Sequence, residues 1–205
     1  MMMKKWLGSL GLCALVVLSA CGSENSAMEV AGAEESDAVD MFEKITGGEL
    51  FYTAFDITDA TTRSLRVNIE QYKDGELIED HGGLELSGFL EDSTEGNLAV
   101  SFTEKTAEDN RTMVIDVMVE TISDQNTSQS RTSVEMDVED NGYGFDVLTE
   151  SASFEVGDEK IVALYQGTGD TDELRPITTE ASEEDLAEQP HVIVVKLRID
   201  GETDN

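Results

Sequence analysis

Apolar and polar residues alternate with a period of two along most of this chain from Glu49 onward. In Ser64–Lys73, Leu65, Val67 and Ile69 alternate with Arg66, Asn68 and Glu70, the pattern of a strand with one face buried. Lys73-Asp74-Gly75 breaks the run before Glu76–Glu79. Asp-Gly predicts a tight hairpin there, because both residues tolerate the left-handed backbone. Gly82-Gly83 precedes a further run, Leu84–Leu90. Asn97–Thr103 and Thr112–Ile122 alternate again, as do Val134, Met136 and Val138. Ser123–Ser130 reads as a polar loop and Asn141–Gly144 as a turn, before strands at Phe154–Val156, Ile161–Gln166 and Val192–Ile199.

The last strand opens with four apolar residues, Val192 to Val195, before Lys196 and Arg198 restore the alternation. Such a run predicts a central strand covered on both faces. Between the final two strands lies an acidic connection, Gly167–Pro190, in which Ser182 is placed to cap a single helical turn through Glu183, Glu184 and Asp185. Eight to ten short strands with turn signals between them, and almost no helical periodicity, predict an all-β chain. The expected architecture is one antiparallel β-sandwich (Ig-like) over residues 49–205.

A different pattern precedes it. Lys4 and Lys5 are followed by the apolar or small run Leu7–Leu18, then Leu18-Ser19-Ala20-Cys21, after which the chain turns polar at once. The apolar run has the length of a signal-peptide core and falls well short of the roughly 20 residues that span a bilayer. These residues resemble the type II signal peptide and lipobox of bacterial lipoproteins. The resemblance implies cleavage between Ala20 and Cys21 and a covalent diacylglycerol on the Cys21 sulfur, holding the protein on the extracytoplasmic face of the cell membrane. Two acyl chains anchor stably where one does not. Residues 1–20 are thus expected to be the signal peptide and residues 21–48 a flexible acidic tether with an r.m.s. span of about 25–30 Å. Within the tether, AVDMFEKI is expected to form one helical turn or to pack on the domain. Separately, the stretch SLRVNIEQYKDGELIEDHGG is similar to small β-domain lipoproteins of Gram-positive bacteria, a likeness that implies no catalytic residues.

Charge narrows the partners. The whole chain has 13 basic and 45 acidic residues and a formal charge of −32. Removing residues 1–20 takes away two lysines and no acid, which leaves −34. Nucleic acid and anionic headgroups would be repelled, so no nucleic-acid partner is expected. The acids are spread along every segment, as a solvated surface requires. Cys13 lies within the signal peptide and Cys21 is the lipid site, so no thiol chemistry is expected. Trp6 also leaves, and two histidines, His81 and His191, cannot build a three-histidine zinc site.

The candidate metal ligands are Asp137, Glu139, Asn141 and Asp146. Counted from Asp137, oxygen donors stand at positions 1, 3 and 5 with Gly142 at 6, but Leu148 occupies position 12, where an EF-hand needs a bidentate Glu. An EF-hand is rejected, and an Asx-type turn is preferred over a Ca²⁺ site. The acidic stretch Asp170–Glu173 reads the same way. Neither histidine lies in a serine-hydrolase elbow, and Gly167-Thr168-Gly169 lacks the lysine and helix of a phosphate loop. The expectation is a lipid-anchored surface protein without catalytic residues or cofactor, a binding module with a possible protein partner at the cell surface. The alternatives are an accessory solute- or Ca²⁺-binding lipoprotein and, less favoured, a hydrolase of envelope material.

Overall fold

A computed structural model describes residues 26–34, 36–59, 61–87, 94–107, 110–122, 127–138, 143–168 and 176–201. The chain runs through β1 (Met28–Val30), α1 (Asp37–Thr46), β2 (Glu49–Ile57), β3 (Thr62–Lys73), β4 (Glu76–Ser87), β5 (Thr94–Ala107) and β6 (Asn110–Ile122). It continues through β7 (Thr127–Asp137), β8 (Tyr143–Val147), β9 (Ala152–Phe154), β10 (Glu159–Gly167), α2 (Glu183–Ala187) and β11 (His191–Gly201).

The strands form two antiparallel sheets, a six-stranded one in the order β7-β6-β5-β2-β1-β9 and a five-stranded one in the order β4-β3-β11-β10-β8. The period-two alternation explains the layering. Phe51, Phe55 and Ile57 of β2, Leu98, Val100 and Phe102 of β5, and Ile115, Val117 and Val119 of β6 point inward from one sheet. Leu65, Val67 and Ile69 of β3 and Ile193, Val195, Leu197 and Ile199 of β11 meet them from the other. The chain is an all-β sandwich, and its strands among the described residues outnumber the seven to nine of an immunoglobulin domain.

The Asp74-Gly75 hairpin forms as the dipeptide predicts, with φ of 51° and 79°. Gly75 is needed for a second reason, since a Cβ there would stand 2.1 Å from the Ala187 carbonyl oxygen. The β11 run is central, between β3 and β10. Its outward residues Val192 and Val194 join Ile161, Leu164 and Leu186 in a second apolar cluster, covered by the segment that carries α2. That helix has the expected cap: Ser182 Oγ accepts from Asp185 N, and the Asp185 carboxylate accepts from Ser182 N at 2.8 Å.

Three expectations need correction. Of the tether expected at 21–48, the described residues, 26–34 and 36–48, are not a tether. Met28 and Val30 are fully buried, and β1 pairs with both β2 and β9. Three residues are too short to display a period, so the strand is created by its neighbours. Helix α1 runs well beyond one turn because it is closed at both ends, by Ser36 accepting from Val39 N and by Gly47 at φ 69°. Second, Thr127–Ser130 belongs to β7 rather than a loop, paired with Thr121 and its neighbours on β6. An edge strand keeps its ladder bonds without an apolar face. Third, β9 ends at Phe154 and Val156 lies in the turn that follows, whereas Gly82-Gly83 lies inside β4, where Gly82 (φ 65°) sits at a bulge opposite Ile69. Of the turn expected at Asn141–Gly144, Tyr143 and Gly144 instead open β8, while 141–142 and the stretch 88–90 lie outside the described residues.

Both sheets share two ends. Ser26, Ile57, Ile122, Phe154 and Gly201 mark one, here the Ser26 end; Lys73, Arg111, Tyr143, Gly167 and His191 mark the other, the Tyr143 end. No helix among the described residues is long and apolar enough to cross a membrane.

Candidate functional site

At the Tyr143 end, each strand of the five-stranded sheet contributes one residue to a diagonal row: Tyr143 from β8, Tyr165 from β10, His191 from β11, Gln71 from β3 and His81 from β4. The row is diagonal because Tyr143 pairs with Gly167 while Tyr165 pairs with Ile193, and Ile193 in turn pairs with Gln71. Tyr143 stacks on Tyr165 at 5.8 Å, and Tyr165 meets the His191 ring edge-on at 5.8 Å. Gln71 Nε2 then lies 3.0 Å from His191 Nε2, and Gln71 Oε1 lies 3.4 Å from His81 Nε2. His81 Nδ1 reaches Glu79 Oε1 at 3.5 Å, which brings the row back to the surface.

The carboxamide gives this row a direction. An amide nitrogen donates and an amide oxygen accepts, so Gln71 turns its donor toward His191 Nε2 and its acceptor toward His81 Nε2. The two rings are thus linked through one carboxamide.

The other sheet supplies the facing wall. Phe102 of β5 lies 5.4 Å from Phe145, which contacts both tyrosines. Arg111 of β6 stands with Cζ 5.9 Å from the centre of the Tyr143 ring. Arg111 is held by Glu104 through two bonds, Nε to Oε1 at 2.8 Å and Nη2 to Oε2 at 2.7 Å. The Arg111 bonds keep the Glu104 carboxyl below its usual range. Tyr143 remains 47 % exposed, whereas Tyr165 is fully buried and His191 nearly so.

The connection before β11 braces this end. Gln166 Nε2 donates to Gln189 Oε1 at 2.7 Å, Asp74 N donates to Pro190 O at 2.8 Å, and Gly75 N to Gln189 O at 3.1 Å. On the outer face, Lys196 Nζ meets Glu70 Oε2 at 2.7 Å and Glu159 Oε1 at 3.4 Å, while the Tyr72 hydroxyl donates to Glu70 at 2.6 Å. Burial, then the bond to Glu70, push the Tyr72 phenol up to about 12. For Lys196 burial acts downward, but the bond to Glu70 and nearby negative charge outweigh it, and its ammonium is held above the usual value.

The family comparison agrees with a domain that starts before β1. The profile of a family described as a YgaN domain matches residues 24–199. The chain belongs to the YgaN domain family. No curated protein and no solved structure matches it.

The YgaN domain brings its two histidines together on one glutamine, a juxtaposition the sequence does not announce. The metal candidates are not assembled in this way. Asp137 is exposed at the end of β7, and Asp146 is occupied in accepting from Thr179 N at 2.9 Å. Glu139, Asn141 and Asp170–Glu173 lie outside the described residues, as do Ala20 and Cys21. Among the described residues no group of three or more His, Cys, Asp or Glu is placed to hold a metal ion. Gln71, Tyr143, Phe145, Tyr165 and Arg111 escape the sequence reading. The one available signal was Tyr143 and Phe145 at strand spacing, masked by the glycines on either side of Tyr143.

Proposed function

We propose that this YgaN-domain protein is a lipid-anchored extracytoplasmic surface protein that works as a non-enzymatic binding module, with the Tyr143 end as its contact surface for a protein partner. The carrying observation is the row that ends in exposed Tyr143, at the end of the sandwich opposite Ser26. Tyrosine and arginine are enriched where proteins meet, because they bury much area for few rotatable bonds. Here both are already ordered, Tyr143 by Tyr165 and Arg111 by Glu104, so a partner loses little side-chain freedom on binding. The lipobox-like Leu18–Cys21 supports the anchor.

Two measurements in intact cells test this reading. Cys21→Ser is expected to release the protein from the membrane fraction; retention would sink the anchor. A photo-crosslinking residue at Tyr143 is expected to give a defined adduct that the same residue at Ile122 does not. Equal adducts from both ends would defeat the contact surface. A large thermal stabilisation by Ca²⁺ would instead favour the accessory cation-binding reading.

A further inference from the structure

The two sheets have four edge strands, β7 and β9 in one and β4 and β8 in the other. Three of them are blunted in the ways that keep edges from pairing. β9 has 3 residues and β8 has 5. β4 is broken by two register shifts and lined by Glu76, Glu79, Asp80 and Glu85. β7 has none of these features. It runs for 11 residues, and its register with β6 is unbroken from Thr112↔Asp137 to Ile122↔Thr127. In a chain with 45 acids, Thr127 to Val134 holds none. Among the described residues β7 pairs with β6 alone. Val138 N donates to Arg111 O at 2.9 Å, so the even-numbered residues of this strand turn their amides to β6. By the alternation of an antiparallel ladder, Gln129, Arg131, Ser133, Glu135 and Asp137 then turn their N–H and C=O groups to the open edge.

We propose that β7 is the docking edge for β7 of a second copy, paired antiparallel about a two-fold axis through Ser133. Charge selects this register. With Ser133 facing Ser133, Arg131 of each copy lies opposite Glu135 of the other, and Gln129 lies opposite Asp137. Centred on Arg131, two guanidinium groups would face each other; centred on Glu135, two carboxylates would. Like charges directly opposite destabilise a sheet, and opposite ones support it. Both side chains stand in solvent on the outer face, Arg131 66 % and Glu135 62 % exposed, beside Asp116 at 2.7 Å and Lys105 at 3.9 Å. Paired from 129 to 137, the strands would exchange about ten ladder bonds and bring Thr132 of one copy over the half-buried Val134 of the other. The two six-stranded sheets then run on as one, through an isologous contact that closes at two copies. Charges farther away on each copy are largely screened at physiological salt, where the Debye length is about 8 Å. β4 passes close to β7 in the other sheet, and its broken, acidic edge leaves the five-stranded sheets unjoined. The contact lies along the side of the sandwich and depends neither on the Tyr143 end nor on Cys21.

Disulfide trapping in intact cells that produce the full chain tests the pairing. No cysteine follows Cys21, and the unsubstituted chain sets the baseline for Cys13 and Cys21. Residues of a bonded antiparallel pair stand about 5.5 Å apart at Cα, within disulfide reach. Under a mild oxidant, Ser133→Cys is expected to give a covalent dimer. Gln129→Cys alone is expected to give none, because its two copies would lie roughly 27 Å apart along the strands. Produced together with Asp137→Cys, it is expected to give the mixed dimer. Adding Arg131→Glu to Ser133→Cys should lower the adduct several-fold, and adding Glu135→Arg as well should restore it. No adduct at 133 above the baseline, or equal adducts at 133 and at 129 alone, overturns the pairing. A loss with Arg131→Glu that Glu135→Arg does not restore overturns the register.

Discussion

The two ends of this sandwich are closed by different means. The Ser26 end is stitched by backbone bonds: Ala27 N to Phe154 O at 2.7 Å, Thr58 N to Ala27 O at 3.0 Å and Gly157 N to Ile199 O at 2.8 Å. The core beneath it is plain apolar packing of Met28, Ile57 and Phe154. The Tyr143 end is closed by side chains, a row in which buried polar atoms depend on one another. Backbone bonds tolerate almost any side chain, whereas a buried polar row is stable only when each member is satisfied. Substitutions at the Tyr143 end should therefore act strongly and together, and those at the Ser26 end weakly and singly.

Tyr165→Ala offers the hardest test of that contrast. Removing a fully buried ring that contacts Tyr143, Phe145 and His191 is expected to cost about 3–5 kcal/mol in denaturant unfolding. A cost below 1 kcal/mol would mean the row does not close this end. Gly75→Ala comes next. It combines a left-handed φ of 79° with a Cβ 2.1 Å from Ala187 O, and about 1–3 kcal/mol should be lost. The released segment before β11 should show faster amide exchange at Asp74 and Gly75. Gln71→Leu keeps the volume but removes the link between the histidines, for about 1–3 kcal/mol. The imidazole NMR signals of both His81 and His191 should move, and a shift at only one would break the row into independent residues.

On the outer face the prediction concerns pH. Tyr72 is raised from 10.0 to about 12, so its neutral phenol is favoured by folding. That contribution is complete below pH 10 and is lost as pH rises through about 12. Lys196, also raised, carries the same sign, its share present below its unfolded value of 10.5 and lost above it. Tyr72→Phe should remove one late-titrating tyrosinate absorbance and flatten the alkaline fall in stability. Smallest of all, Val156→Ser at the Ser26 end should alter stability in denaturant unfolding by less than about 0.5 kcal/mol.

Much of the sandwich could be read from the chain. The alternation in β3, β5, β6 and β11 dictates which faces pack, Asp74-Gly75 dictates a hairpin, and Ser182 with Asp185 dictates a capped turn. Elements without a period of their own could not be read. Met28–Val30 is a strand because β2 and β9 lie on either side, and Thr127–Ser130 because β6 supplies a ladder. The row at the Tyr143 end is harder still. Gln71 and His191 are 120 residues apart, and their meeting depends on strand register, with ladder irregularities in β10 and at the Gly82 bulge of β4. A register shift of one residue would turn such side chains to the opposite face, and no local pattern fixes it. The same holds for Arg111 and Tyr143, which approach only because the two sheets are stacked.

The bulge in β4 has a consequence for molecules that meet side by side. β4 is an edge strand of 12 residues, with Leu77 and Ile78 each 51 % exposed. A straight ladder of that length, with apolar side chains showing, is a template on which a second copy adds as another strand. Gly82 interrupts the ladder in mid-strand, and Glu76, Glu79, Asp80 and Glu85 line the same edge with like charge. Two copies brought edge to edge would meet a broken register and facing carboxylates, so the residue that turns His81 toward Gln71 also keeps neighbouring copies from polymerising.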